Sequence, residues 1–515
     1  MKKIFFILIG VLVFSSCKKE TFNIDNPNYP IDKEVLADPA DFLKFNQSNH
    51  KNVFQAQVDL DGVFFRGMSD QFTATNAYLG FWTFTDEPRL QLPNTTNNDD
   101  LDYQIGGPWD SFNEVIDNSN IVLQNIIEFG VQVTDNNGND ITQQELAGAY
   151  FDKAIALGYL SMIYDKAFIV NYDTDIDNLQ FSDYNDVLAA SIDNFNNAIN
   201  VVNSLSSFEY HVYDGSSTID KTKFIQLANS YMARFSISVP RTDAEAQNLD
   251  YNAILNYANN GLDSNFYPLS KTDVFYNNLQ DWSLYIINGY GTYAIPELGG
   301  GQYAGYMPTD IKIAHLFDPS YPVEYPTNSD VLPPANSNDP RLAYYIYVGD
   351  NFGYLRESRG RHLFSSYLHI RFWDGNNEND DGLEVQIFPK AEIDYIKAEC
   401  YYRLGNYAQA VSVLDASPRG TVGNQTTTAA KDNVRNALFY EYSIELDLNS
   451  GMAVNWAFMR RHDLLQIGTA TQYPVPASEL EVQLMPTYTF GGESNAGQTG
   501  TASGANDWRN INLVY

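Results

Sequence analysis

The stretch AEIDYIKAECYYRLGNYAQAVSVLD, residues 391–415, limits the architecture more than any other part of the chain. Apolar and small residues recur at helical spacing on both sides of Gly405, so two helices meet at a turn where glycine ends the first. Ala398 and Ala410 leave room for the two helices to approach closely. One such pair cannot bury its apolar faces alone and needs further helices packed against it. The expectation is a mainly α protein built by packing helix on helix.

The rest of the chain supplies those helices. WDSFNEVIDNSNIVLQNIIEF from Trp109 is periodic, with a turn-like Asn118–Asn120 inside it. Thr142 to Glu145 has the form of a capping box ahead of LAGAYFDKAIALGYLSMIYDKAF, whose Ala147, Gly148, Ala154, Ala156 and Gly158 suit close packing. FSDYNDVLAASIDNFNNAINVV follows, with Ser182 as its cap, then KTKFIQLANSYMARFSISV up to Pro240 and YNAILNYANNGL up to Gly261. KDNVRNALFYEYSIELDL and AVNWAFMRRHDLLQI complete the set. Ala398, Tyr401, Gly405, Tyr407, Ala410 and Leu414 follow the spacing of a tetratricopeptide unit, but the other pairs keep no 34-residue register.

The chain opens MKKIFFILIGVLVFSSC, with a basic start and an apolar run too short to span a bilayer. Small Ser15 and Ser16 before Cys17 form a lipoprotein signal, so residues 1–16 are expected to be removed and Cys17 lipidated. Residues 17–35 then form a polar, proline-punctuated tether. With Cys17 lipidated, Cys400 has no disulfide partner and reads as a small buried hydrophobe. The net charge of −33 argues against nucleic acid as a partner. Thirty-six tyrosines exclude a disordered acidic chain.

Between the helical blocks, residues 271–389 are rich in Gly, Pro, Tyr and Asn, with strand-like runs SLYII, RLAYYIYV and LEVQIF. A long irregular segment inside a folded chain is commonly a functional surface. The chain contains no HExxH, P-loop, GxSxG or GxGxxG. Most of its 64 carboxylates lie on helix faces or in Asn/Asp loops, so a glycosidase pair has no particular support. Asp374, Asp380 and Asp381 sit in an oxygen-rich loop and are the calcium candidates, although their spacing is not that of an EF-hand. Asp135 to Asp140 reads first as a turn.

Several pieces, in this order, are similar to the SusD/RagB-like outer-membrane lipoproteins. They are the Cys17 lipobox with Asn26-Pro27-Asn28, the helix from Trp109, AYFDKAIALGYLSMIYDKAF, YNDVLAASIDNFNNAI, and KFIQLANSYMARF. After them come Asp339-Pro340-Arg341, FPKAEIDYIKAECYYRLGNYAQAV, Glu445 with Arg460-Arg461, and Pro474-Val475-Pro476 with Glu479. The resemblance implies one domain over residues 36–515, a helical scaffold at about 36–265 and 390–515 with tetratricopeptide-like pairs. A loop-rich face with short β-strands would occupy about 266–389. It also implies a surface-exposed protein lipid-anchored in the outer membrane, non-catalytic, that passes oligosaccharide to a SusC-like TonB-dependent transporter. Other members of the family take peptides, and a surface polysaccharide-degrading enzyme is the third reading.

Glycan binding needs flat aromatic faces beside Asn, Asp, Gln or Arg. Trp456 has core periodicity, Trp109 opens a structural helix, and Trp508 lies near the end of the chain with no assigned role. Trp82, Trp282 and Trp373 lie in loop-like settings beside Asp or Asn. Tyr290, Tyr293, Tyr303 and Tyr306 flank or neighbour glycines within residues 281–306. These seven residues are the candidate ligand contacts.

Overall fold

The computed structural model describes residues 39–57, 62–74, 80–96, 99–212, 217–266, 307–326, 331–349, 365–371 and 387–514. Sixteen α-helices and three small strand pairs are found among them. The N-terminal helices are α1 (Pro39–Gln55), α2 (Gly62–Met68), α3 (Phe81–Thr85), α4 (Asp99–Ile127), α5 (Thr142–Ile163), α6 (Tyr184–Ser204), α7 (Lys221–Ser238), α8 (Asp243–Ala246) and α9 (Tyr251–Asn259). Then follow α10 (Ile311–Phe317), α11 (Lys390–Arg403), α12 (Tyr407–Ala416), α13 (Pro418–Thr421), α14 (Lys431–Ile444), α15 (Val454–Arg461) and α16 (Ala477–Val482).

Helix α5 is the axis of the first half. Nearly every residue from Leu146 to Ile163 is buried, because α4, α6, α7 and α1 all pack on it. Two glycines make that crowding feasible. A Cβ on Gly158 would fall 2.2 Å from the Phe235 ring of α7, and one on Gly148 would fall 2.6 Å from the imidazole of His50 on α1. That imidazole meets the buried Asp152 of α5 at 2.5 Å, and Asp152 also accepts from the Tyr210 hydroxyl at 2.7 Å. Asp152 and Glu145 hold the His50 ring above its ordinary pKa against the opposing effect of burial.

The second half is organised by α11 and α12, the helix–turn–helix unit of residues 391–415. Gly405 sits at φ +77° between them, and Ala398 and Ala410 are both fully buried. On α11, Glu392 and Glu399 stand two turns apart on one face. Glu392 takes a fork of two 2.6 Å bonds from Arg234 on α7. Glu399 takes 2.9 and 2.7 Å bonds from Arg461 on α15, plus His462 at 2.8 Å. One helix face thus ties two others to itself through buried ion pairs. A third pair joins the middle of the chain to α14, where Arg341 forks onto Glu441 at 2.7 and 2.9 Å.

Strands β1 (Lys166–Ala167) and β2 (Ser182–Asp183) pair antiparallel, as do β3 (Glu209–Val212) with β4 (Ser217–Asp220) and β5 (Tyr345–Tyr347) with β6 (Tyr367–His369). The expected mainly α scaffold with short strands is what the structure has. Cys400 is fully buried, and burial raises its thiol well above the ordinary value. Among the described residues no helix is long and apolar enough to cross a membrane.

Four local expectations change. Helix α4 begins at Asp99, ten positions before Trp109, and runs unbroken through Asn118–Asn120. Those polar residues find tertiary partners: Ser119 accepts from Asn49 at 2.9 Å and Asn120 accepts from Lys153 at 2.7 Å. The capping box is absent. Thr142 is already helical, with its hydroxyl on Asp140 at 2.6 Å, while Glu145 turns inward to accept from Asn46 at 2.7 Å. Helix α6 is capped by Asp183 rather than Ser182, its carboxylate accepting from the Asn185 amide at 2.9 Å. The irregular middle also contains a helix, α10, every residue of which is buried.

Candidate functional site

Trp82 is the one sequence-derived ligand contact within the described residues. It lies on α3, half-buried against the main core, and its indole N–H donates to the Ala74 carbonyl at 3.2 Å. That bond fixes the ring's orientation. Trp282, Tyr290, Tyr293, Tyr303, Tyr306 and Trp373 lie outside the described residues, as do Cys17 and the calcium candidates Asp374, Asp380 and Asp381. The Asp135 loop closes on itself as a turn: Asp135 accepts from the amides of Asn137 and Asn139, both at 2.8 Å. Of the other tryptophans, Trp109, Trp456 and Trp508 are buried, the last donating to Asp70 at 2.8 Å.

Close to α3 in sequence and space lies a buried charged cluster. Asp70, at the end of α2 with φ +55°, accepts from Arg89, from Gln466 at 3.1 Å and from Trp508. Glu87 accepts from Gln466 at 2.8 Å, and Asp310 accepts from the Tyr325 hydroxyl at 2.7 Å. Oxygens of Asp70, Glu87 and Asp310 lie within 4.8 Å of one another. Asp70 is already filled by guanidinium, amide and indole donors, so the trio suits a hydrogen-bonded cluster better than a metal. Burial and the neighbouring Asp70 and Glu87 push Asp310 up to about 8, and burial pulls Lys312 down to about 8. The cluster holds the start of α10 against α2 and the C-terminal segment.

A cleft of about 900 Å³ opens between α8, the β1–β2 pair and residues 488–503. Its floor holds two buried arginines. Arg241 donates to the carbonyls of Ser161 and Tyr164 at 2.8 and 2.7 Å, and Arg460 to those of Met162 and Ser238, both at 2.7 Å. They satisfy carbonyls left open at the C-terminal ends of α5 and α7. Burial pulls Arg241 down to about 10. The Arg241 guanidinium lies 4.0 Å from the Tyr184 ring centroid, while Tyr488 and Phe490 meet edge to face at 5.7 Å. Tyr488 donates to Asp165 at 2.9 Å, and Tyr184 donates to Glu245 at 3.2 Å.

No protein-family model matches the chain. The curated proteins give no match either. Solved structures do. A SusD superfamily protein from Bacteroides vulgatus ATCC 8482 aligns at 14% identity over 86% of this chain and 97% of its own, with a TM-score of 0.55. A SusD superfamily protein from Parabacteroides distasonis ATCC 8503 aligns at 13% identity over 85% and 96%, with a TM-score of 0.56. The fold is SusD-like. A protein described as SusD-like and carbohydrate binding, also from Bacteroides vulgatus, aligns at 15% identity over 80% and 81%, with a TM-score of 0.50.

Within this SusD-like fold, the residues that carried the sequence resemblance are largely interior. Arg341, Arg460 and Arg461 are all buried, the first and last of them in ion pairs and Arg460 on backbone carbonyls. Arg341 and Arg461 build the scaffold rather than a ligand face, while Arg460 also forms part of the cleft floor. The cleft leaves no pattern in the sequence, because its described walls come from five separate segments that only the fold brings together. The nearest signal was the Gly- and Thr-rich run GQTGTASGA after Tyr488 and Phe490.

Proposed function

We propose that the chain is a lipid-anchored, surface-exposed, non-catalytic glycan-binding protein of the outer membrane. It captures oligosaccharide and passes it to a SusC-like TonB-dependent transporter. The observation that carries this reading is the SusD-like fold over at least four-fifths of the chain, shared with a structure described as carbohydrate binding. The lipobox at Cys17 supports the anchor, and the aromatic residues of the 266–389 segment, together with Trp82, support a sugar-facing surface.

Affinity electrophoresis of the mature chain against a panel of neutral polysaccharides, with short peptides tested in parallel by calorimetry, examines the ligand class. Retention by at least one polysaccharide without turnover is the expected result. Peptide binding with no retention by any polysaccharide would replace glycan with peptide, and release of reducing ends would make the protein an enzyme. Labelling with palmitate and recovery with an outer-membrane transporter after mild detergent extraction examine the anchor and the partner.

A further inference from the structure

The described lining of the cleft between α8 and residues 488–503 contains no sequence-derived ligand contact. Among the described residues its lining includes neither Trp82 nor any residue of the 266–389 segment. We propose that it is a second saccharide subsite, which takes a short stretch of uncharged glycan. The assignment rests on the glycan-binding reading above and adds a place and a ligand charge to it.

Three features carry it. The first is size: about 900 Å³ falls in the range of roughly 300–1,000 Å³ that small-ligand sites occupy. The second is the pairing of aromatic side chains with carboxylates that the protein already orients. Tyr184, Tyr488 and Phe490 are half-buried, so each keeps accessible surface for the C–H faces of a sugar ring. Glu245 is held through one oxygen, Oε2, by the Tyr184 hydroxyl and by the Arg241 amide at 2.8 Å. Asp165 is buried and takes the Tyr488 hydroxyl on both of its oxygens, so it orients the Tyr488 ring. An ionised carboxylate has about four lone-pair positions, so the exposed Glu245 retains acceptor capacity for the vicinal hydroxyls of a sugar.

The third feature is charge. Among the described residues the lining contains four carboxylates (Asp165, Asp183, Glu245 and Asp463) and three cations (Lys166, Arg241 and Arg460), which nearly cancel on a chain of net charge −33. A uronate or sulfated sugar would meet the four carboxylates, while the donors of Arg241 are spent on backbone carbonyls and the Gln472 amide oxygen, and those of the Arg460 terminal nitrogens on backbone carbonyls. An ammonium ligand would meet the two buried guanidiniums. A neutral polyhydroxyl ligand meets neither penalty.

The test uses the full mature chain with a panel of gluco-, manno-, xylo- and galacto-configured oligosaccharides, plus one uronate and one sulfated oligosaccharide, followed by calorimetry. Gln498→Trp places a bulky side chain over the cleft from an exposed loop position where the side chain makes no structural bond. Thr499→Cys in a Cys17→Ser background offers a single reactive thiol there, because Cys400 is buried, and a bound sugar should slow its labelling by maleimide. The expected outcome is a tenfold or greater loss of affinity, or loss of one of two binding steps, in Gln498→Trp with an unchanged melting temperature. The same neutral sugar should protect Thr499→Cys. Wild-type isotherms in Gln498→Trp and unprotected labelling would overturn the cleft while leaving glycan binding in place. Protection by the acidic sugars alone would overturn the assigned ligand charge. Binding of no saccharide by the wild type would overturn both this assignment and the glycan reading.

Discussion

Arg341 places its two terminal nitrogens on the two carboxylate oxygens of Glu441, at 2.7 and 2.9 Å, across one hundred residues of sequence and with neither side chain exposed. Asp339 accepts a further 2.8 Å bond from the same guanidinium, and Arg419 reaches Glu441 at 3.1 Å. The Tyr395 hydroxyl also donates to Glu441, at 2.7 Å. This is a fully bonded buried cluster, in which the guanidiniums outweigh burial and hold Glu441 below the usual carboxylate range.

Removing one member strands the others. Arg341→Ala should destabilise the fold by roughly 3–5 kcal/mol, because Glu441 and Asp339 stay buried with fewer donors. Arg341→Lys should recover little of this, since an ammonium cannot fork onto two oxygens. Urea unfolding followed by far-UV circular dichroism measures both. A loss below about 1 kcal/mol in Arg341→Ala would mean the cluster does not bind the middle segment to α14.

Gly158 makes a second, purely steric prediction. An added Cβ would sit 2.2 Å from the Phe235 ring, which itself packs at 5.0 Å against Tyr159 and at 5.7 Å against Tyr231. Gly158→Ala should therefore destabilise the protein by about 1–3 kcal/mol despite the better helix propensity of alanine. The double variant Gly158→Ala/Phe235→Leu should restore part of the loss in a thermal melt. An unchanged melting temperature in the single variant would show that α5 and α7 can separate freely.

The same residues show what a sequence discloses. The α11–α12 unit was legible because local signals agree: periodic apolar residues, small residues at the contact, and glycine at the turn. Capping and helix limits were less legible wherever a polar residue found a distant partner. Asn118–Asn120 resembles a turn in sequence, but Asn49, Lys153 and the Val170 carbonyl take up its side chains inside a continuous helix. Glu145 resembles half of a capping box, but Asn46 and His50 draw it into the interior. Asp339-Pro340-Arg341 was visible as a motif, though not as one end of an ion cluster whose other end lies one hundred residues on. The cleft was not legible at all, since no short segment holds enough of it to leave a pattern.

Lys153 provides a prediction in pH. Its ammonium is buried between Asn120 and Asn171, which accept from it at 2.7 and 2.8 Å, and burial lowers its pKa from 10.5 to about 8. Below about pH 8 the amine is charged in both folded and unfolded chains, and the fold carries the whole cost of burying it. Between about 8 and 10.5 the unfolded chain binds more protons, so stability contributed at this site rises with pH. Lys153→Met removes the titration. The stability difference, wild type minus Lys153→Met, should climb by roughly 2–3 kcal/mol across that window. A flat difference in chemical unfolding at successive pH values would show that the ammonium is effectively solvated.

Trp82 offers the most direct test of the ligand face. Its ring is half-buried and its indole N–H is tied to the Ala74 carbonyl, so the side chain has both a structural and a surface role. Trp82→Phe keeps an aromatic face and loses the bond, whereas Trp82→Ala loses both. If the exposed part of the ring stacks on sugar, Trp82→Ala should weaken glycan retention in affinity electrophoresis about tenfold. Trp82→Phe should keep most of the retention even where its melting temperature falls. If the ring only braces α3, retention should follow melting temperature in both variants. The triple variant Trp282→Ala/Tyr290→Ala/Tyr303→Ala extends the test to the 266–389 segment. Undiminished retention there, together with loss in Gln498→Trp, would shift sugar binding from the loop face to the cleft.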